Sequence, residues 1–250
     1  MKVSFLGLGV MGYPMAGYLV KSGHEVCVYN RTLDKAAKWV QQHGGTRAVT
    51  PLDAAKGAEI VFTCVGNDDD LRQVVNGEQG AFRSMNRGTL LVDHTTTSAN
   101  VARELAGVGA SLEVGFVDAP ISGGQSGAEN GILTVMCGGG QENYDRAKPV
   151  IQAYARSVKR LGEVGSGQLT KMVNQICVAG VVQSLAEAIH FAQRAGLDPL
   201  AVIEVISKGA AQSWQMENRH KTMVADEFEF GFAVDWMRKD LGIVLNEARQ

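Results

Sequence analysis

The 250-residue chain has few prolines and cysteines, no excess of either charge and no long uninterrupted apolar run. Five prolines and no periodic repeat exclude a collagen-like or low-complexity chain, although there are 30 glycines. The 24 Lys and Arg residues nearly balance 26 Asp and Glu, which argues against a protein that coats nucleic acid or anionic lipid. Without about 18 consecutive apolar residues or a signal-peptide core, the sequence predicts a cytoplasmic protein with a small-molecule partner.

The four cysteines, Cys27, Cys64, Cys137 and Cys177, lie far apart and form no Cys-x-x-Cys pair. Three of them lie in apolar runs, so we expect the four to be buried thiols in a reducing compartment rather than metal ligands. The aspartate run at 68–70 has no spaced partner carboxylates and is interpreted as a solvated helix start. The sequence therefore predicts no metal site.

Short β-branched runs alternate with longer helix-patterned stretches through the first two thirds of the chain. Most runs are apolar throughout rather than at alternate positions, which predicts strands covered on both faces. Such strands form a largely parallel sheet with crossover helices, so residues 1–161 are predicted to be a doubly wound α/β domain. The predicted strands are 3–6, 26–29, 60–65, 90–93, 114–118, 133–137 and 158–160.

The pattern changes at the glycine-rich segment 162–167. Residues 168–195 carry apolar side chains at helical spacing, and a helix of about 28 residues would be about 42 Å long, too long for an ordinary crossover. Gly196 is placed to end this helix, and Asp198 and Pro199 supply the cap and first turn of the next. Because no strand pattern follows, residues 162–250 are predicted to form a second, helical domain.

A glycine triplet, Gly7-x-Gly9-x-x-Gly12, directly follows the first predicted strand and opens a helix. Gly7 permits a tight turn, Gly9 lets the backbone approach a pyrophosphate, and Gly12 allows close packing of helix and strand. The alternative to a dinucleotide site is an ordinary structural turn that contains glycine because its backbone adopts a positive φ. The strand–turn–helix–strand context favours a dinucleotide site that also includes the intervening residues Leu8, Val10 and Met11.

The end of the second predicted strand bears on the choice of cofactor. An NAD-selective site would carry an acidic residue there, whereas this chain has Asn30, Arg31 and Thr32. Without a carboxylate at this position, a 2′-phosphate meets no electrostatic repulsion there. The planar, charged Arg31 guanidinium can bind that phosphate through two parallel hydrogen bonds. NADP is therefore favoured over NAD. The alternative for Arg31 is a solvated loop charge, and Asp34 is interpreted as a helix N-terminal charge.

Five segments together carry a family pattern: GLGVMGYPMA at 7–16, VDHTTTS at 92–98, DAPISGGQSGAENG at 118–131, GSGQLTKMVNQ at 165–175 and RKD at 238–240. With them the chain resembles the β-hydroxyacid dehydrogenase family nearly from end to end. That family includes 3-hydroxyisobutyrate dehydrogenase, tartronate semialdehyde reductase and the glyoxylate/succinic semialdehyde reductases. The VYNRT form of the second strand resembles the NADP-using reductase branch.

The resemblance implies a fold and a set of site residues. It implies a Rossmann domain, a long interdomain helix and an all-α C-terminal domain, which at Gln250 ends a few dozen residues before the family's usual end. Many members have a second Asn where this chain has Gln175, and the longer side chain is expected to reshape the substrate pocket. The implied roles are catalysis by Lys171, substrate contact by Asn174, substrate carboxylate binding by Ser122, Gly123 and Gly124, and cofactor contact by Val65, Gly66, Thr96 and Lys239.

Residue chemistry is compatible with these roles. Lys171, Asn174 and Gln175 stand at i, i+3 and i+4, so they project from one helix face. During carbonyl reduction an ammonium can protonate the developing alkoxide, and partial desolvation should lower the pKa of Lys171 towards the working pH. The alternative is a surface lysine. Glycines after Ser122 free backbone N–H groups that can bind a carboxylate, although this segment can also be a plain glycine turn.

We therefore expect an NADP-preferring hydroxyacid dehydrogenase or reductase that acts on a small carboxylate-bearing substrate as a homodimer or homotetramer. His94 is interpreted as a hydrogen-bonded structural residue rather than a catalytic base. An imine reductase is an alternative, although these enzymes commonly replace the catalytic lysine. A non-catalytic dinucleotide-binding module is another alternative, and the intact Lys171 and Asn174 argue against it. The decarboxylating 6-phosphogluconate dehydrogenase is a further relative of the family, but it is much longer and needs phosphate-binding residues that this sequence does not show.

Overall fold

A computed structural model describes residues 1–229 and 231–249. Within these residues, one sheet has the strand order β3-β2-β1-β4-β5-β6-β8-β7, and β9 pairs with β8. Strands β1 to β6 pair in parallel, β8 is antiparallel to β6 and β7, and β9 is parallel to β8. The strands are β1 (Lys2–Leu6), β2 (Glu25–Tyr29), β3 (Thr46–Arg47), β4 (Ile60–Thr63), β5 (Leu90–Asp93), β6 (Gly115–Asp118), β7 (Ile121–Ser122), β8 (Leu133–Gly138) and β9 (Ala155–Gly162).

Helices cover both faces of this sheet and continue as a helical C-terminal region. A short 3-10 turn lies at Ala81–Arg83. The helices are α1 (Gly12–Lys21), α2 (Leu33–His43), α3 (Pro51–Ala55), α4 (Asp68–Asn76), α5 (Ala99–Ser111), α6 (Gly124–Glu129), α7 (Gln141–Ile151), α8 (Ser166–Arg194), α9 (Pro199–Ile206), α10 (Trp214–Val224) and α11 (Val234–Glu247). The predicted fold, a doubly wound α/β sheet followed by a long helix and a helical region, is confirmed.

Two apolar clusters lie on opposite faces of the sheet, which explains why its strands are continuously apolar. On one face Met15, Trp39 and Tyr154 pack with the strands. On the other face Leu71 and Leu105 do so. The carboxyl ends of the parallel strands meet at one edge, where the predicted site residues lie.

The structure differs from the predicted strands in a few places. Strand β4 ends at Thr63 and not at residue 65, and β9 extends on both sides of the predicted segment 158–160. Strands β3 and β7 have two residues each, too few to give a periodic pattern. The domain boundary near residue 161 stays a prediction, and Gln250 lies outside the described residues.

The expected burial of all four thiols is wrong for Cys177. Cys137 is buried and Cys27 and Cys64 are half-buried, whereas Cys177 is exposed on α8. The reason is that α8 carries apolar residues around much of its surface, so its sequence does not show which side faces solvent.

Helix α8 meets the length and hydropathy expected of a membrane-spanning helix, although it lacks the uninterrupted apolar run sought in the sequence. Only 22% of its most apolar window is buried. Val173, Ile176 and Phe191 are among its exposed apolar side chains. Length and composition alone do not make such a helix a membrane span.

His94 has the structural role that the sequence favours. Its ring is buried, with Nδ1 2.6 Å from the carbonyl oxygen of Ala119 and Nε2 2.8 Å from the hydroxyl of Tyr154. Burial lowers the pKa of His94 to about 4, so the ring is neutral at pH 7. With both nitrogens engaged inside the protein, the imidazole holds β5 to its neighbours.

Candidate active site

The glycine turn between β1 and α1 combines a tightly packed base with an open face. Gly7 has a φ of +104°, and a Cβ atom there would lie 2.2 Å from the carbonyl oxygen of Cys64. A Cβ atom on Gly12 would lie 2.0 Å from the carbonyl oxygen of Gly7. At Gly9, by contrast, no described atom lies within 4 Å of an added Cβ. The open face at Gly9 fits the close approach of a dinucleotide pyrophosphate to the backbone.

The end of β2 lies against this turn. The side-chain oxygen of Asn30 accepts a hydrogen bond of 2.9 Å from the backbone N–H of Leu8, and its amide donates to the carbonyl oxygen of Thr32 at 3.1 Å. Asn30 therefore ties the glycine turn to the segment where a dinucleotide's adenosine half would bind. Arg31 is exposed, and its guanidinium lies 3.3 Å from the carboxylate of Asp70 on α4.

The loops after β4 and β5 meet at the same edge of the sheet. The backbone N–H of Val65 donates to the Thr95 hydroxyl at 3.1 Å. The Lys239 ammonium, which comes from α11, donates to the carbonyl oxygens of Gly66 at 3.1 Å and Thr96 at 2.6 Å. The structure thus brings Val65, Gly66, Thr96 and Lys239 together and attaches the helical region to the sheet edge.

Lys171 occupies a buried position on the second turn of α8. Its side-chain nitrogen donates a hydrogen bond of 2.8 Å to the carbonyl oxygen of Ile121, the first residue of β7. Burial lowers the pKa of Lys171 to about 8, and the Lys239 charge acts in the same direction while Asp240 opposes it. An amine with this pKa can give up or take a proton close to neutral pH.

The predicted substrate-binding residues lie close to β7, the strand whose Ile121 carbonyl oxygen accepts the hydrogen bond from Lys171. The hydroxyl of Ser122, at the end of β7, lies 3.3 Å from the side-chain oxygen of Asn174 on α8. Gly123 and Gly124 follow with φ values of +134° and +60°, which side chains rarely adopt, so the turn into α6 requires glycine. The end of β7 with Ser122 therefore lies against the face of α8 that carries Lys171 and Asn174.

Gln175 lies in the same group but points into a buried network. Its side-chain oxygen accepts from the Asn174 amide at 2.8 Å, and its own amide donates to the Asp240 carboxylate at 2.6 Å. Asp240 is 3% exposed and also lies 3.1 Å from the Lys239 ammonium. The longer side chain of Gln175 thus connects α8 to α11.

Sequence reasoning missed three polar residues that the structure places at the site, Asp118, Gln168 and Asp240. The Asp118 carboxylate accepts hydrogen bonds from the start of α8. The Gln168 side chain accepts from the Thr97 N–H at 3.1 Å and donates to the Thr95 carbonyl oxygen at 2.7 Å. All three lie in motifs that the sequence analysis quotes, but the spacing of residues along the chain does not indicate that Asp118 and Asp240 contact α8.

Two family models match the chain. The family model for the NAD-binding domain of 6-phosphogluconate dehydrogenase matches residues 2–163. The model described as NAD-binding of NADP-dependent 3-hydroxyisobutyrate dehydrogenase matches residues 165–250. Together these two models cover both the sheet and the helical region.

Relatives cover the whole chain. An uncharacterized oxidoreductase from Shewanella frigidimarina is 68% identical over 100% of this chain and 86% of its own length. A probable 3-hydroxyisobutyrate dehydrogenase-like protein from Arabidopsis thaliana is 37% identical over 100% of this chain and 74% of its own. The crystal structure of 3-hydroxyisobutyrate dehydrogenase from Salmonella typhimurium is similar with a TM-score of 0.89 and 30% identity, over 100% of this chain and 87% of that one.

The glycine turn and the buried Lys171 amine lie within the two segments that the two family models match. The matching models describe domains that bind a nicotinamide dinucleotide, and the named relatives include dehydrogenases of hydroxy acids. The chain therefore belongs to the β-hydroxyacid dehydrogenase family, a group of oxidoreductases that act on CH–OH donors.

Proposed function

We propose that the protein is an NADP-preferring reductase that interconverts a small carboxylate-bearing aldehyde or keto acid with the corresponding hydroxy acid. The observation that carries this proposal is the buried Lys171 amine, whose neighbours include the contact between Ser122 and Asn174. An amine in such a place serves proton transfer, and the polar groups beside it suit a substrate with a carboxylate.

The nicotinamide, when bound, supplies hydride for reduction and accepts it for oxidation. Lys171, as an ammonium, protonates the oxygen that gains negative charge during reduction. As a neutral amine it removes the hydroxyl proton in the opposite direction. Ser122 and the backbone of Gly123 and Gly124 hold the substrate carboxylate, while Asn174 orients the substrate beside Lys171. Burial of the amine keeps water from competing for its proton.

Cofactor contacts follow the edge of the sheet. Gly7, Gly9 and Gly12, with Leu8, Val10 and Met11 between them, would hold the pyrophosphate. Arg31 and Thr32 would contact the adenosine half, positioned by Asn30. On the nicotinamide half, the corresponding residues would be Val65, Gly66, Thr96 and Lys239.

A screen of substrates tests this proposed function. We expect NADPH oxidation with at least one of glyoxylate, succinic semialdehyde, tartronate semialdehyde and methylmalonate semialdehyde, and a lower kcat/KM with NADH. The assay follows absorbance of the reduced nicotinamide, and identification of the hydroxy acid product confirms the reaction. NADPH binding without turnover of any of the four compounds would contradict the proposal.

The choice between NADPH and NADH is expected to depend on Arg31 and its partner Asp70. Arg31→Ala should raise KM for NADPH about 10-fold, because the guanidinium would form a charge-assisted bond with the 2′-phosphate. Asp70→Asn should lower KM for NADPH about 3-fold, because the exposed ion pair at 3.3 Å competes weakly with that phosphate. Initial rates with both cofactors at fixed substrate measure these changes.

Arg87→Ala is the matched control for Arg31→Ala. Arg87 is also exposed and also pairs with a carboxylate, that of Glu113 at 3.0 Å. We expect this control to leave KM for both cofactors unchanged. Equal effects of Arg31→Ala on NADH and NADPH would show that Arg31 does not recognise the phosphate.

Exposed apolar side chains on α8 support the association of two or more copies into a homodimer or homotetramer. Val173 is 62% exposed, Ile176 is 52% exposed and Phe191 is 71% exposed, and several exposed apolar side chains on one long helix suit an interface between copies. We also propose a cytoplasmic location, for which the near balance of charge and the scattered cysteines are the support.

A further inference from the structure

The carboxylate of Asp118, at the end of β6, accepts hydrogen bonds from two backbone N–H groups at the start of α8, those of the N-cap residue Gly165 and of Gln168. One oxygen accepts a hydrogen bond of 2.8 Å from Gly165, and the other accepts one of 2.9 Å from Gln168. The side chain is completely buried. Asp118 therefore caps a helix whose N-cap residue, Gly165, lies 47 residues further along the chain.

This contact replaces a local helix cap. The residue before α8 is Gly165, which has no side chain to cap the first turn. The first N–H groups of a helix lack intrahelical partners, and leaving them buried without an acceptor would cost free energy. Asp118 supplies the acceptor from the sheet, and its negative charge also suits the positive end of the helix dipole.

The surroundings of the carboxylate leave little space for movement. A Cβ atom on Gly138, which faces Asp118 across the β6–β8 pair, would lie 2.5 Å from one carboxylate oxygen. A Cβ atom on Gly167, in the first turn of α8, would lie 2.8 Å from the other. Both glycines thus let the carboxylate lie between the sheet and the helix, and the start of α8 is fixed by close packing.

The hydrogen-bond partner of Lys171 follows shortly after the end of β6, where Asp118 lies. Lys171 lies on the next turn of α8, and its nitrogen donates to the carbonyl oxygen of Ile121, three residues after Asp118. Because an α-helix is stiff over one or two turns, fixing its start fixes the position of Lys171 relative to Ile121 and Ser122. Asp118 is thus linked to the acceptor, Ile121, through three residues of chain, and to the Lys171 amine through the first turn of α8.

Burial acts against the charge of this carboxyl group but does not remove it at neutral pH. Burial raises the pKa of Asp118 to about 6, while the hydrogen bonds from Gly165 and Gln168 act in the opposite direction. The carboxylate therefore stays mostly ionised at pH 7 and can accept both bonds.

We propose that Asp118 is a positioning residue that sets the start of α8 and thereby places the Lys171 amine for proton transfer. This inference depends on the proposed catalytic role of Lys171. Asp118 itself does not touch the reacting atoms. Its contribution is to hold the amine where a substrate bound at Ser122 can reach it, and a misplacement of about 1 Å can lower a rate about 100-fold.

The test is a double-mutant cycle of Asp118→Asn with Lys171→Met in the full-length protein. Asparagine has the shape of aspartate, but its amide nitrogen cannot accept one of the two N–H bonds. We expect Asp118→Asn alone to lower kcat between about 10-fold and about 100-fold and to change KM for NADPH less than about 3-fold. In the Lys171→Met protein, the same change should alter the residual rate less than about 2-fold.

Two further variants complete the experiment. Asp118→Glu keeps the charge but moves the carboxylate by about 1.5 Å, one C–C bond length, so a reduced kcat is expected there as well. Glu163→Gln is the control, because Glu163 lies just before α8 but its side chain is exposed and pairs with Arg160. We expect this control to retain the kcat of the unmodified protein.

The outcomes separate this inference from the proposed function. A folded Asp118→Asn or Asp118→Glu protein with unmodified kcat would overturn the positioning role. Equal fold-losses for Asp118→Asn in the presence and absence of Lys171 would overturn it too, since Asp118 would then act independently of the amine. If Lys171→Met alone keeps full activity, the catalytic proposal itself fails.

Discussion

Replacement of Lys171 by methionine is expected to lower kcat for carbonyl reduction by about 1000-fold while leaving the Kd for NADPH unchanged. Methionine has nearly the length of lysine and is apolar, so it can fill a position that is only 8% exposed. The variant removes the proton donor and keeps the packing of α8. Stopped-flow or steady-state NADPH oxidation measures the rate, and a fluorescence titration measures cofactor affinity.

A lysine elsewhere on the molecule provides the comparison. Lys56, exposed at the end of α3, is not part of the site, so Lys56→Met should keep the unmodified kcat. The catalytic role would be wrong if Lys171→Met protein that binds NADPH normally turned over substrate within about 3-fold of the unmodified rate.

The pH dependence of the two reaction directions should follow the same amine. Because burial lowers the pKa of Lys171 to about 8, the ammonium predominates below that pH and the neutral amine above it. Reduction needs the ammonium, so its rate should fall as the pH rises through about 8. Oxidation needs the neutral amine, so its rate should fall as the pH decreases through the same value. Lys171→Met should remove both transitions from the residual rate.

Gly9→Ala is expected to weaken NADPH binding by about 100-fold with no loss in the free energy of unfolding. In the protein alone, no described atom lies within 4 Å of a Cβ placed on Gly9, and its φ is not positive, so the methyl group is sterically tolerated. The methyl group would instead occupy the space through which a pyrophosphate reaches the backbone. Titration with NADPH and chemical denaturation measure the two quantities separately.

Gly12→Ala supplies the opposite case within the same turn. Its methyl group would lie 2.0 Å from the carbonyl oxygen of Gly7 and 2.9 Å from the Phe5 ring, so it should lower the free energy of unfolding by about 1–3 kcal/mol. If Gly9→Ala binds NADPH as tightly as the unmodified protein, the dinucleotide does not approach this face of the turn.

Local patterns explain why much of the fold could be predicted. The continuous apolar runs of the sheet and the helical spacing after Gly167 depend on neighbours a few residues apart. The strand–glycine–helix order at Gly7, Gly9 and Gly12 likewise indicates a dinucleotide turn without knowledge of any distant residue. The motifs around Ser122 and Lys171 gave the remaining site residues through resemblance, and their roles stay predictions.

Contacts between distant segments could not be predicted in this way. Asp118 joins α8 across 47 positions and Gln175 joins Asp240 across 65, and neither pair has a periodic or compositional signal. The exposure of Cys177 is a similar case, because the apolar surface of α8 is wider than the part that packs against the sheet.

The sequence by itself determined the parallel α/β sheet, the long helix and the glycine turn, because chain sterics and hydrophobic periodicity act over a few residues. Only the tertiary structure decided which carboxylate caps α8, which groups surround the Lys171 amine and how strongly burial lowers its pKa. Hydrogen bonding and desolvation depend on the atoms that packing brings within a few ångströms, whatever their separation along the chain.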